Sequence, residues 1–257
     1  MEKKTINILK KLGAVFLINK LHLVRFFYSK RSYSQFGEDI IISHVLNAMN
    51  VRNIFYVDIG ACHPFSGNNT AFFYNNGSNG ICIEPDPTLF KTIKRYRKRD
   101  FCLNIGVGGG MQKKLDFFVF SEPALNTFSQ DRAERLVKEH NYKIIKKIKI
   151  PVLNINEIID KFAISKPNLI SIDAEGLDFE ILKTFNFEKY RPEVFCVETI
   201  TFDTNNSGEK VKEIIDYMLE QNYLVYADTH ANTIFVEKDK WKSIKQRKGS
   251  VTAGVTS

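Results

Sequence analysis

The sequence predicts an α/β protein built on a doubly wound sheet, mostly parallel and closed by an antiparallel C-terminal hairpin. Short apolar runs alternate with helical patterns over most of the 257 residues. Four of those runs end in an acid, at Asp58, Glu84, Asp173 and Glu198. The last two runs, 224–226 and 233–236, lie close together in the chain, as the arms of a hairpin do. The hydrophobic fraction, 44%, is enough to bury a sizeable core. The length suits one large domain or a domain with an appendage.

Charge is unevenly spread. Residues 1–31 carry about +7 and residues 238–257 about +5, so the remainder carries about −4 of the +8 total. A mildly acidic body argues against a basic nucleic-acid groove, and no nucleic-acid partner is expected. The four cysteines form no CxxC pair and sit in or beside apolar runs. They read as reduced, buried thiols, with no spacing for a disulfide framework or a zinc site.

The elements follow in order. Residues 5–28 mix apolar and basic side chains, and the apolar run 12–18 is too short to span a bilayer. No cleavage site follows it, so a signal peptide is not expected. Residues 1–32 read as a basic amphipathic helix, lying either on an anionic membrane surface or partner, or on the protein's own body. The stretch SQFGED at 34–39 opens a helix whose apolar residues recur at helical spacing. Glu38 and Asp39 suit its dipole, and Gln35, just before it, can face a ligand. Residues 54–57 are a buried parallel strand ending at Asp58 and Gly60, where ligands of open α/β sheets bind. Glycine there lets a ligand approach the backbone.

A capped helix covers 71–75 and a strand covers 81–83. Glu84 follows, about two dozen residues after the first strand end. That is where such sheets hydrogen-bond a ribose. Pro87 starts a basic helix through Arg99, whose cations read as a solvated face. Strand patterns recur at 101–105 and 115–120. Residues 121–147, polar but for a helical stretch near 131–140, read as a lid insertion. A half-exposed strand, 143–149, leads to a short helix, 157–162, capped by Asn156. Strands at 169–172 and 194–197 end in Asp173 and Glu198, with helices at 179–185 and 208–222 behind them. The tail, 241–257, is basic, then small and polar, and reads as disordered. The main domain is therefore placed at 33–240.

Carboxylates gathered along one sheet edge repel one another unless a cation or several hydroxyls occupy the cleft. Asp173, Glu198 and His230 fall at neighbouring strand ends in this topology. Two carboxylates and an imidazole suit a divalent metal such as Mg²⁺, Mn²⁺ or Fe²⁺, and the same three are the candidate catalytic residues. In the competing reading Asp173 and Glu175 hold only cofactor, Glu198 pairs with a lysine and His230 caps a turn. Without a metal, His230 or His63 is the candidate base, because an imidazole exchanges protons near neutral pH. His22, His44 and His140 lie on predicted helices. Nicotinamide binding would need a GxGxxG turn after the first strand, and that is absent; the glycines at 106–110 follow the third.

The motifs SQFGED (34–39), VDIGACHP (57–64), NNTAFFY (68–74), ICIEPDP (81–87) and ISIDAEGLDFEIL (170–182) together resemble the FkbM family of S-adenosylmethionine-dependent methyltransferases, over roughly residues 33–236. The resemblance implies a Rossmann-like class I methyltransferase sheet of seven strands and O-methylation of a small or sugar-like acceptor. It further implies that Gly60 and Ala61 pass beneath the methionine part, with Asp58 near its ammonium. Gln35 and Thr70 would help hold the methionine, and Glu84 would bind the ribose hydroxyls. Pro85 or Asp86 would flank the adenine, Asn104 would lie at its edge, and Asp173 would contact the cofactor.

The acceptor implied is a nucleotide-linked sugar or a surface glycan, reached in the cytoplasm or at the inner face of the membrane, with residues 1–30 as the contact; self-association stays open. The alternative is a non-catalytic Rossmann-like binding protein that docks a membrane or partner through its N-terminal helix.

Overall fold

The computed structural model describes residues 30–109, 113–201 and 208–244. The expected N-terminal helix, but for residues 30–32, and the tail beyond residue 244 lie outside them; residues 241–244, read as the start of a disordered tail, are helical instead, with the Trp241 ring 5.1 Å from that of Tyr226. The chain divides into two compact units, Met1–Ser32 and Tyr33–Ser257, and all the described helices and strands belong to the second.

The chain order is α1 (Glu38–Ala48), β1 (Phe55–Ile59), α2 (Ala71–Asn75), β2 (Asn79–Ile83), α3 (Pro87–Tyr96), β3 (Phe101–Leu103) and β4 (Gly106–Val107). Then come β5 (Lys114–Phe120), a 3₁₀ turn (Pro123–Leu125), α4 (Gln130–His140), β6 (Ile144–Leu153), α5 (Ile155–Phe162) and β7 (Leu169–Ile172). The last are α6 (Asp178–Thr184), β8 (Val194–Glu198), α7 (Lys212–Glu220), β9 (Tyr223–Asp228) and β10 (Asn232–Glu237).

The main sheet has seven strands in the order β3-β2-β1-β7-β8-β10-β9, with β10 antiparallel to both neighbours. The expected hairpin is therefore present, with its second arm inserted between β8 and the first. Successive strand residues face opposite sides, and both sides are buried. Val57, Ile81, Ile170 and Phe195 pack with helices α5, α6 and α7. Tyr56, Cys82, Leu169 and Cys196 pack with α1, α2 and Ile93 of α3. The chain turns from β2 on one side of β1 to β7 on the other, so the ends of β1 and β7 mark the switch point where such sheets bind ligands.

The segment read as a lid is ordered. β5 and β6 pair antiparallel, and β4 joins β6 at Val152 and Leu153. The 3₁₀ turn and α4 pack on this small sheet through Phe118, Phe120, Leu125, Ala133 and Leu136.

Two local expectations are corrected. Asn154, not Asn156, caps α5, accepting from the Asn156 backbone N–H at 2.8 Å. The basic run after Pro87 is not wholly solvated either. Helix α3 ends at Tyr96 and Arg97 is fully buried. Its guanidinium donates to Asp100 Oδ2 at 2.8 Å, Tyr56 Oη and Thr70 Oγ1 at 2.9 Å, Pro64 O at 3.2 Å and Asn68 Oδ1 at 3.3 Å. A buried guanidinium is tolerable only when its donors are matched in this way.

Candidate active site

A cavity of about 700 Å³ opens along the carboxyl ends of β1, β2, β7 and β8. Seven of the predicted site residues line it: Gln35, Gly60, Glu84, Pro85, Asp173, Glu198 and His230.

Gly60 is needed for a different reason than expected. Its φ is +79°, and a Cβ there would run into the Asp173 carbonyl group, 2.9 Å from the carbon and closer still to the oxygen. The group pressing on Gly60 is the neighbouring strand end. Ala61 is buried and donates its N–H to Ile83 O at 3.1 Å, pinning the turn to β2.

Asp58 and Thr70 are not brought to the cavity. Asp58 Oδ2 accepts from Thr70 Oγ1 at 2.6 Å and Asn68 Nδ2 at 2.9 Å, and Arg97 completes the group. Burial raises the Asp58 carboxyl above its ordinary range, opposed by Arg97 and the two hydrogen bonds. These residues support the 60–67 turn from below. Asp86 and Asn104 also act from behind the wall. Asp86 Oδ1 caps α3 through Thr88 N and Leu89 N, and Asn104 Nδ2 donates to Glu84 O and Pro85 O.

Glu84 lines the cavity with its carboxylate already oriented: Oε1 accepts from Asp86 N and Oε2 from Cys62 N, both at 2.8 Å. Burial pushes it up to about 7 against those two bonds. A carboxylate offers about four acceptor sites, so half of its capacity stays open for hydroxyl donors.

At the other end, Asp173, Glu175 and Glu198 present carboxylate oxygens that lie within 4.8 Å of one another. Asp173 Oδ1 is buried without a hydrogen-bond partner. Burial holds all three above the usual carboxylate range, helped by repulsion from Asp178 at Asp173 and from Asp173 at Glu175 and Glu198. His230 is not in this group. It is exposed at the cavity margin, on the β9–β10 turn, with its N–H donating to Asp228 Oδ1 at 2.8 Å. Its place in the predicted triad is taken by Glu175.

The insertion supplies the facing wall through Asn126, Phe128 and Arg132. Arg132 forms an ion pair with Glu175, and Thr127 Oγ1 donates to Glu175 O at 2.9 Å. Glu38, read as a helix-dipole acid, is fully buried instead. It accepts from Phe36 N at 2.9 Å, Thr229 Oγ1 at 2.7 Å and Asn232 Nδ2 at 3.0 Å. Burial pushes its pKa up, and these bonds more than offset that, leaving it lowered. It thereby joins the Gln35–Phe36 rim to the His230 turn.

Backbone strain singles out the same region. Six non-glycine residues among those described have positive φ. Three are asparagines, which tolerate it. The others, Cys62 (+48°), Glu175 (+51°) and His230 (+72°), all line the cavity. Strain of this kind, about 1–3 kcal/mol each, gathers at functional sites.

The family profile described as Methyltransferase FkbM domain matches residues 58–225, more than half of the chain. The chain belongs to the FkbM methyltransferase family. Among curated proteins, none matches it. Two solved structures are similar at low identity. One is a precorrin-6y C5,15-methyltransferase from Geobacter metallireducens, at 13% identity and TM-score 0.35, covering 74% of this chain and 73% of that one. The other is a proposed caffeoyl-CoA O-methyltransferase from Staphylococcus aureus, at 12% identity and TM-score 0.40, covering 92% and 98%. At those scores neither adds an argument.

Family membership decides against the non-catalytic reading: the protein is an S-adenosylmethionine-dependent methyltransferase. The cavity fits that cofactor. Glu84 has acceptor capacity for ribose hydroxyls, Ile83, Leu89 and Ile105 give an apolar wall, and the buried Asp173 oxygen awaits a donor such as an ammonium. The cavity residues outside the predicted set include Glu175, Asn126, Arg132 and Phe36. Glu175 is legible in the IDAEG motif, and the sequence places it at the cofactor only in the competing reading. The other three depend on how the insertion and the 34–37 turn fold.

Proposed function

We propose that the chain methylates a hydroxyl of a sugar, carried on a nucleotide or within a surface glycan. The observation that carries this reading is the Asp173–Glu175–Glu198 group. Glu84 and Asp173 end strands two positions apart, roughly 10 Å at the usual strand spacing. A cofactor anchored at Glu84 and reaching Asp173 would leave Glu198 and the His230 rim for the acceptor. Bound S-adenosylmethionine supplies an electrophilic methyl group. The protein must orient the hydroxyl, exclude water and take the hydroxyl proton. A carboxylate raised toward neutrality is a better proton acceptor than an ordinary one.

Asp173, Glu175 and Glu198 would also hold a divalent cation, which when bound acidifies a hydroxyl. An all-oxygen set favours Mg²⁺ or Mn²⁺ over Fe²⁺. With four acids and the Arg132–Glu175 pair around the cavity, the reacting end of the acceptor is uncharged, and any phosphate lies away from the acids. Residues 1–30 are proposed as a membrane contact, placing the enzyme where surface polysaccharides are assembled; among described residues no helix is long and apolar enough to cross a bilayer.

The test incubates the protein with isotope-labelled S-adenosylmethionine and a panel of nucleotide sugars, read by mass spectrometry. A singly methylated sugar is expected, at a rate that falls after chelation and returns with Mg²⁺ or Mn²⁺. Transfer to amines while every sugar stays unmodified would sink the sugar reading, and full activity under chelator would sink the cation.

A further inference from the structure

We propose that the outer face of α3, with the residues that follow it, docks on an anionic lipid surface. This docking does not depend on which acceptor the enzyme methylates. Lys91, Lys94 and Arg95 recur at i, i+3 and i+4 on α3, Lys98 and Arg99 follow its end, and all five are exposed. No acid occurs between residues 87 and 99. No carboxylate among the described residues forms an ion pair with any of the five. The acid that follows, Asp100, has a buried side chain and is taken by Arg97. The patch therefore keeps its full charge although the body of the chain is net acidic.

Two rings stand out of the same end, Tyr96 at 50% and Phe101 at 42% exposure. Phe101 belongs to β3, the outermost strand, so the patch continues from the helix onto the sheet edge. The Arg95 guanidinium lies over the Tyr96 ring at 5.7 Å. A cluster of four or more Lys/Arg, here three on the helix and two just after it, is attracted to anionic headgroups, and exposed aromatic rings favour the headgroup boundary. A single-stranded nucleic acid would instead need a groove that tracks its backbone, whereas this surface is a convex helix. Only the start of α3, at Leu89, lines the cavity, so the cationic end is clear of the cofactor.

The test uses the full chain and sedimentation with phosphatidylcholine vesicles, with and without phosphatidylglycerol. The wild type should pellet only with the anionic vesicles and be released by salt. A variant combining Lys91→Gln, Lys94→Gln, Arg95→Gln and Lys98→Gln should partition several-hundredfold less at low salt, from roughly fivefold per cation near an anionic surface. Its S-adenosylmethionine affinity, by calorimetry, should match the wild type. If that variant loses cofactor binding and so has not folded, Lys94→Glu with Arg95→Glu replaces it. Three results would overturn the proposal: undiminished vesicle binding by a cofactor-competent variant, which would move the contact to residues 1–31; indifference of the wild type to phosphatidylglycerol; or tighter binding of an oligothymidine than of the vesicles.

Discussion

Replacing Gly60 by alanine tests how the cofactor turn is built. Two penalties apply. The first is a side chain at φ +79°, a left-handed position costing about 1–2 kcal/mol. The second is the collision of the new methyl with the Asp173 carbonyl. Both colliding atoms are backbone, so no rotamer change relieves them, and β7 must shift or the turn must open. Overpacking of this sort adds about 1–3 kcal/mol. Gly37→Ala is the matched reference, because Gly37 has φ +90° with nothing within 4 Å of a Cβ. It carries the first penalty alone. Gly60→Ala should therefore lose about 2–5 kcal/mol against about 1–2 for Gly37→Ala, roughly 4–20 °C against 2–8 °C in thermal midpoint for a domain of this size. Moving Asp173 should also weaken S-adenosylmethionine by roughly tenfold or more in a calorimetric titration, about 1.4 kcal/mol. Equal destabilisation by the two variants, or cofactor affinity within twofold of wild type in Gly60→Ala, would refute this account of the turn.

Three further outcomes are expected. Glu84 is raised from 4.5 to about 7 in the fold. Its native state thus holds a proton that the unfolded chain has lost, and the ligand-free protein loses stability as pH rises from about 4.5 through 7. Glu84→Gln should flatten that decline in thermal scans between pH 5 and 8 while weakening the cofactor; an unchanged slope would show that Glu84 does not titrate there. Arg97→Met should cost about 3–5 kcal/mol in urea unfolding by stranding Asp100 and Asp58, and Tyr56→Phe, which removes one hydroxyl from the same group, about 1 kcal/mol; similar values for the two would deny Arg97 its central place. Arg132→Ala should speed cofactor release severalfold in stopped-flow measurements by loosening the insertion from Glu175, and an unchanged release rate would count against the insertion as a closing wall.

Much of this architecture is written locally. The apolar strands at 55–59, 81–83, 169–172 and 194–197 are short, buried on both faces and carry an acid at or beside their carboxyl ends, so period and punctuation revealed them. The hairpin followed from the few residues between its arms. Long-range pairing was not legible. Nothing local distinguishes Arg97 from Arg95 or Lys98, yet one folds under the cofactor turn and the others face water. Asp58 lies one residue inside the end of β1, and Asp173 just past the end of β7; Asn68, Thr70 and Arg97 close over the first and leave an oxygen of the second in the cavity. From sequence, His230 is the candidate third ligand at this edge, and Glu175 enters only in the competing reading, as a cofactor contact. The left-handed backbone at Glu175 brings its carboxylate to Asp173 and Glu198, and that turn cannot be inferred from residue type.

The Glu38 contacts carry a consequence for biosynthesis. Its partners Thr229 and Asn232 lie 191 and 194 residues further along the chain, and β10 enters the sheet between two strands made before it. On the ribosome, β9 has no neighbour and Glu38 has no side-chain partner until almost the whole described body has emerged. The cofactor pocket therefore closes last. Nascent chains that stop before residue 229 leave one side of β8 without its strand neighbour and Glu38 without either side-chain donor.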